Sequence, residues 1–144
     1  MKLLDANILL YAVDTASPMH AQLRPWLENA LSGAEPVAFD WQVLLAFVRI
    51  STRRSVFEHP LSAAQALDVV DDWLRQPNAV VIHPTDRHAA ILRTLLEPLG
   101  AAGNLTSDAH LAALAIEHGA ELCTLDADFA RFSGLRWMNP LRMS

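Results

Sequence analysis

Four aspartates, Asp5, Asp108, Asp126 and Asp128, stand inside or beside apolar runs, in LLDANILLYAV, TSDAHLAALAI and LCTLDADFARF. An ionised carboxylate without a partner is costly to remove from water, so each calls for a helix cap, a structural ion pair or a bound cation. Taken singly, the structural explanations hold: Asp5 beside a helix N-terminus, Asn7 as the cap of NILLYAVD, Asp126 shaping the turn before DFARF. Taken together they are harder to keep apart. Asp5 closes the first apolar run and Asp126 follows the fourth, and in an open α/β sheet ligands collect at the carboxyl ends of the strands. At about 100° per residue, Leu111, Ala112 and Ala115 share the side of Asp108, while His110 and Glu117 fall opposite, on a stripe expected to face water. Three inward carboxylates at one sheet edge, with Asp128 close by, repel one another unless protons or a divalent cation neutralise them. Oxygen-only ligation favours Mg2+ or Mn2+ over zinc.

A second group lies in WQVLLAFVRISTRR. Gln42, Ala46, Arg49 and Arg53 form one helical stripe, and Val43, Leu44, Phe47 and Val48 form the apolar side. Arginines on that stripe, joined by Arg54, either hold phosphates or simply place cations at a solvated helix C-terminus. Asp40, just before this helix, reads as its cap rather than as a ligand. His20, His59, His83, His88, His110 and His118 show no metal-binding spacing such as H-E-x-x-H. Trp26, Trp41, Trp73 and Trp137 read as core or interface residues, with Trp41 near the proposed site. G-x-S-x-G and a Gly-rich phosphate loop are both absent from the sequence. A receiver-type or aspartyl-phosphate enzyme normally needs a lysine at a later strand end, and Lys2 is the only lysine.

The elements that must position these side chains alternate short apolar runs with segments of helical period, the pattern of a parallel sheet covered by helices. Strands are expected over 2–5, 36–39, 79–83, 121–125 and 135–139. Ser17 and Pro18 open a helix to about Leu31, which Pro25 should kink or split. Asp40 starts one through Arg53. Ser62 and Gln65 make a capping box for the segment to Arg75, Thr85 caps one to about Leu99, and Thr106 or Ser107 opens the last, closed by Gly119. No linker or repeat divides the chain, so one domain is expected over 1–144.

Composition agrees with a compact domain: 52% hydrophobic, 19% charged, net charge −5. That charge argues against nucleic-acid binding through a diffuse basic surface and leaves local arginines or a metal to do it. Cys123 is the only cysteine, so no intramolecular disulfide forms, and AELCTL makes it a small core residue. Asp5 and Asp14 interrupt the N-terminal apolar stretch too early for a signal peptide, and no run approaches the ~18 apolar residues of a membrane span. The expected location is the cytoplasm.

LLDANILLYAVD, the Arg49-bearing helix and above all NLTSDAHLAALAIEHGAELCTLDADFARF resemble the PIN-domain family and, within it, the VapC-type toxins of bacterial toxin–antitoxin pairs. The resemblance spans nearly the whole chain. It implies a three-layer α/β/α domain around a central parallel sheet of four to five strands. It also implies Mg2+- or Mn2+-dependent endoribonuclease activity, a VapB-type antitoxin partner and a homodimer. By this likeness Asp5 matches the family's first acid, Asp108 the third and Asp126 the fourth, with Asp128 an additional acid less regularly a ligand. The second acid, usually a glutamate three residues before the helix arginine, is replaced by Ala46. Asp40, six residues earlier, is expected to face elsewhere.

The mechanism so implied is hydrolysis of RNA phosphodiesters with Mg2+ held chiefly by Asp5 and Asp108. Asp126 is a further ligand or positions the water, Arg49 with Arg53 or Arg54 clamps the backbone, and Asn7 caps a helix or supports a ligand. Two rivals predict different outcomes: a PIN-like domain that binds RNA or protein without cutting, and a metal-dependent phosphatase or DNA nuclease using the same acids.

Overall fold

A computed structural model describes residues 1–142; the last two positions of the expected 1–144 domain lie outside the described residues. In chain order the elements are β1 (Lys2–Leu4), α1 (Ala6–Val13), α2 (His20–Ser32), β2 (Val37–Phe39), α3 (Trp41–Ser51), α4 (Ala63–Leu74), β3 (Ala79–Val81), α5 (His88–Leu96), α6 (Thr106–Glu117), β4 (Glu121–Cys123) and β5 (Trp137–Met138). Short 3-10 turns cover Glu97–Leu99, Gly103–Leu105, Ala127–Arg131 and Pro140–Arg142.

The five strands form one parallel sheet in the order β3-β2-β1-β4-β5. Parallel neighbours require crossovers, and these are right-handed almost without exception. The chain steps one way from β1 to β3, then jumps back past β1 to β4, so the two runs of crossover helices fall on opposite faces. The packing agrees, with α1 against α2 and α3, α3 against α4, and α5 against α6. The result is the expected three-layer arrangement, and its order reverses between β1 and β4. At such a switch point the flanking helices diverge and leave a crevice.

Burial on both faces explains the apolar composition of the central strands. Leu3, Leu4, Val37, Ala38, Phe39, Leu122 and Cys123 are all buried. Trp73 packs edge-on to Phe47 with ring centroids 4.8 Å apart and anchors α4 to α3. Helix α6 buries Ala109, Leu111, Ala112, Ala113, Leu114 and Ala115. Its many alanines let it approach the sheet closely.

Every expected strand is present, shorter than its apolar run. In the first, third and fourth runs it is the C-terminal end that leaves the sheet for the following loop or helix. Two helices depart from expectation. Helix α3 ends at Ser51, where the Thr52 hydroxyl donates to the Val48 and Arg49 carbonyls at 2.8 and 3.2 Å, leaving Arg53 and Arg54 beyond it. Helix α2 begins at His20 instead of Ser17 and is not split by Pro25, which lies on its exposed face. The apolar stripe Leu23, Leu27 and Leu31 is fully engaged in the core, and that burial outweighs the missing backbone hydrogen bond. Pro25→Ala is therefore expected to stabilise the protein by up to about 3 kcal/mol, read as a higher urea midpoint. An unchanged or lower midpoint would mean the proline ring makes a favourable contribution of its own.

Candidate active site

Asp5 ends β1 and starts α1. Its backbone is extended (φ −82°, ψ 158°), and its Oδ1 accepts the Ala6 N–H at 2.7 Å. Asp5, and not Asn7, is thus the cap. Asn7 lies in the first turn and reaches across to β4: its Nδ2 donates to Thr124 Oγ1 at 3.3 Å and to Asp5 Oδ2 at 3.4 Å, and its Oδ1 accepts from Leu125 N at 3.3 Å.

Thr124 joins the two strand ends. Its buried hydroxyl donates to Asp5 Oδ2 at 2.7 Å and accepts from Asp126 N at 3.0 Å and from Asn7. One donor and two acceptor positions are all a hydroxyl has, so Thr124 is saturated. The residue was missed in the sequence because a threonine at a strand end has an ordinary structural use. Asp126 Oδ1 accepts from Asp128 N at 2.9 Å, which shapes the following 3-10 turn as expected.

A cleft of about 380 Å³ opens above these strand ends, lined among others by Asp5, Asp40, Ala46, Arg49, Asp108 and His110. Asp108 enters it from the first turn of α6. Burial raises the Asp5 carboxyl above its ordinary value; hydrogen bonds from Thr124 and Ala6 partly offset this, and the charges of Asp108 and Asp126 add to it. Burial likewise raises Asp108, with the charges of Asp126 and Asp128 acting in the same direction and Arg131 opposing them. Asp5, Asp108 and Asp126 thus sit within one another's fields, with Asp128 acting on Asp108. Among the described residues, no three acidic, histidine or cysteine side chains are gathered tightly enough to cage an ion by themselves.

Of the three arginines singled out, Arg49 lines the cleft, whereas Arg53 and Arg54 are exposed beyond α3. None of the three forms an ion pair among the described residues. The cation whose charge Asp108 feels is Arg131, which donates through Nε to the Asp128 carbonyl at 3.0 Å. Its place in DFARF, five residues past Asp126, carried no periodic signal.

The polar stripe of α6 does not face water. His110 and Glu117 turn toward α5, where four side chains form a chain: Asp40 Oδ2 to His110 Nε2 at 3.1 Å, His110 Nδ1 to His88 Nε2 at 3.0 Å, and His88 Nδ1 to Glu117 Oε2. Glu117 is 8% exposed, and its Oε1 also accepts from the Thr85 N–H and hydroxyl at 2.8 and 2.6 Å. Although burial pushes its carboxyl up, the Thr85 and His88 hydrogen bonds hold it below its ordinary value. Asp40 also departs from expectation. It occupies the residue before α3, yet its side chain makes no capping bond and is turned to His110. The helical wheel erred because it has one inside, and α6 has two: the sheet beneath it and α5 beside it.

The sequence profile of the PIN domain family matches residues 2–135. Ribonuclease VapC37 of Mycobacterium tuberculosis is 51% identical over 140 residues, covering 97% of both chains. Ribonuclease VapC33 of the same species is 41% identical over 138 residues, covering 96% of both. A solved VapBC2 from Rickettsia felis, bound to a DNA fragment from its promoter, shares the fold with a TM-score of 0.70 at 23% identity, over 96% of this chain and 97% of that one. With nearly full-length matches of this kind, the chain belongs to the PIN-domain family, within its VapC group.

Proposed function

We propose that this chain is a metal-dependent endoribonuclease that acts as the toxin of a VapBC-type pair, hydrolysing RNA phosphodiester bonds in the cytoplasm. The observation that carries the reading is the meeting, in one cleft, of the Asp5 and Asp108 carboxylates, both raised from their ordinary value by burial, with Arg49, which forms no ion pair among the described residues. Carboxylates so placed gain from a divalent cation, and a free guanidinium beside them gains from a phosphate. The curated relatives are ribonucleases by name, and the Rickettsia felis relative is a VapBC assembly.

Asp5 and Asp108 would hold Mg2+ or Mn2+, with Asp126 and Asp128 as outer or additional oxygen donors. Bound there, the ion supplies Lewis-acid polarisation of the phosphate and neutralises developing charge. The remaining work falls to the chain. Thr124 and Asn7 fix the Asp5 carboxylate, Arg49 orients the RNA backbone, and Arg53 and Arg54 extend that positive margin outward. Asp126, anchored through Thr124, would orient a water against the phosphorus. No helix among the described residues is long and apolar enough to cross a membrane.

A VapB-type antitoxin and a second copy of the chain are the proposed partners. A groove of about 430 Å³ between α1, α2 and α4, with Leu27, Leu31, Val69 and Trp73 along its floor and Arg24, Glu28, Asp72 and Gln76 at its margins, would suit an amphipathic helix.

Purified protein incubated with RNA, DNA and a small phosphoester is expected to cut RNA alone, with Mg2+ or Mn2+ and not with EDTA. Asp108→Asn is expected to abolish that cleavage; cutting at the wild-type rate would refute the assignment. The same variant tests the electrostatics. A carboxyl raised on folding favours the folded state while protonated, and this contribution is lost as pH rises through its folded value. Metal-free Asp108→Asn should therefore melt above wild type at neutral pH, the gain shrinking to nothing below the ordinary aspartate range. Thr124→Val, which keeps shape and removes the hydroxyl, should cost about 1–3 kcal/mol in urea denaturation and about 10- to 100-fold in cleavage.

A further inference from the structure

Trp41 opens α3 and is 44% exposed. Of the four tryptophans it alone stays out of the core: Trp73 is buried within it, and Trp26 and Trp137 are partly buried against it. Leu45, one turn on, is 59% exposed and lines the cleft beside Gln42, Ala46 and Arg49. Residues four apart share a helix face, and side chains lean toward the helix N-terminus, so Leu45 lies over the turn that carries Trp41. The two make an apolar shelf that begins in the wall of the cleft and runs outward along its rim.

Leaving an indole and a leucyl side chain in water forgoes the burial that stabilises a fold, and nothing in the chemistry of a phosphodiester calls for them. A nucleotide has a second feature, however: the flat face of its base, which stacks on an aromatic side chain once it is free of its neighbours. Arg49 lies one turn beyond Leu45, about 6 Å along the helix axis. It, Arg53 and Arg54 form no ion pair among the described residues. An apolar shelf and unpaired cations thus follow one another along one helix, which matches a base and the phosphate beside it. The same pattern selects among occupants. A stable contact with a second copy of the chain needs roughly 800 Å² on each side, whereas the exposed parts of Trp41 and Leu45 amount to on the order of 200 Å². Beyond the shelf, the exposed surface turns to Arg49, Arg53 and Arg54.

We propose that Trp41, backed by Leu45, is a base-stacking platform on the α3 rim of the cleft, on which an unpaired base of RNA lies while the neighbouring phosphate is held at Arg49, an assignment that rests on the ribonuclease reading for its substrate. Every base has a π face, so the platform selects for structure more than for sequence. It takes a base that is free to leave its stack and refuses one held inside a duplex, where the faces are covered.

The test compares kcat/KM for an unstructured RNA oligomer, cut in the presence of Mn2+, with a series in which one nucleotide at a time is made abasic. Trp41→Ala is expected to lower kcat/KM by about 5- to 100-fold, with Trp41→Phe keeping most of the wild-type value and Leu45→Gln losing less than Trp41→Ala. One abasic position should reproduce the loss in wild type and cost nothing further in Trp41→Ala. Wild-type kcat/KM in Trp41→Ala overturns the proposal, as do abasic penalties that persist undiminished at every position in that variant. Should Trp41→Ala fail to fold, Leu45→Gln takes its place in the same comparison. Sedimentation decides the other occupant: a wild-type dimer that becomes a monomer in Trp41→Ala assigns the shelf to a second copy of the chain and overturns the proposal. If wild type leaves RNA uncut, the ribonuclease reading fails alone, and fluorescence anisotropy of the labelled oligomers with Mn2+ then decides the platform. Equal affinity in wild type and Trp41→Ala, or no binding by wild type, overturns it.

Discussion

The hydroxyl of Thr124 ties the end of β4 to the end of β1 by donating to Asp5 while accepting from Asp126 and Asn7. Those two strands are the neighbours between which the order of the sheet reverses. Asp5 and Asp126 take their positions from that junction. Asp5 has one oxygen committed to starting α1 and the other to Thr124. Asp126 is drawn in through its backbone N–H and then sets the turn that carries Asp128 and Arg131. The crossover topology supplies the crevice, one threonine fixes Asp5 and Asp126 at its base, and Asp108 enters it from α6.

The electrostatic state of the cleft follows from the same geometry. Asp5 and Asp108 are both raised by burial first and by neighbouring acids second, so the metal-free fold carries an unfavourable charge distribution. A divalent ion would relieve it, and the relief would be free energy available for binding. On the proposed reading this reconciles a net charge of −5 with a nucleic-acid substrate: attraction to phosphate would come not from a basic surface but from a local exchange, in which the ion offsets the aspartates and Arg49 meets the backbone.

Helix α6 shows how a second packing partner alters the meaning of a polar stripe. Its sheet-facing side is alanine and leucine, as a period of 3.6 residues requires. Its other side is also covered, by α5, and the buried polar groups there satisfy one another from Thr85 through Glu117, His88 and His110 to Asp40. A hydrogen-bonded polar network inside a helix interface fixes register more strictly than apolar contacts do. Here it also links the side of the domain to the mouth of the cleft.

What the sequence determined by itself was the part governed by local periodicity and chain order. Runs such as KLL, VAF and ELC read as buried parallel strands, Ser62 with Gln65 as the start of a helix, and Asp5 and Asp126 as acids at the carboxyl ends of their strands; that those two strands are neighbours was settled by the fold. The roles of Asp40, His110, His88, Glu117 and Thr124 were decided only by tertiary structure. Each depends on a partner 22 to 119 residues away. A helical wheel reports which side of a helix is polar, but hydrogen bonds between distant side chains depend on which elements pack together, and that is settled by the fold of the whole chain.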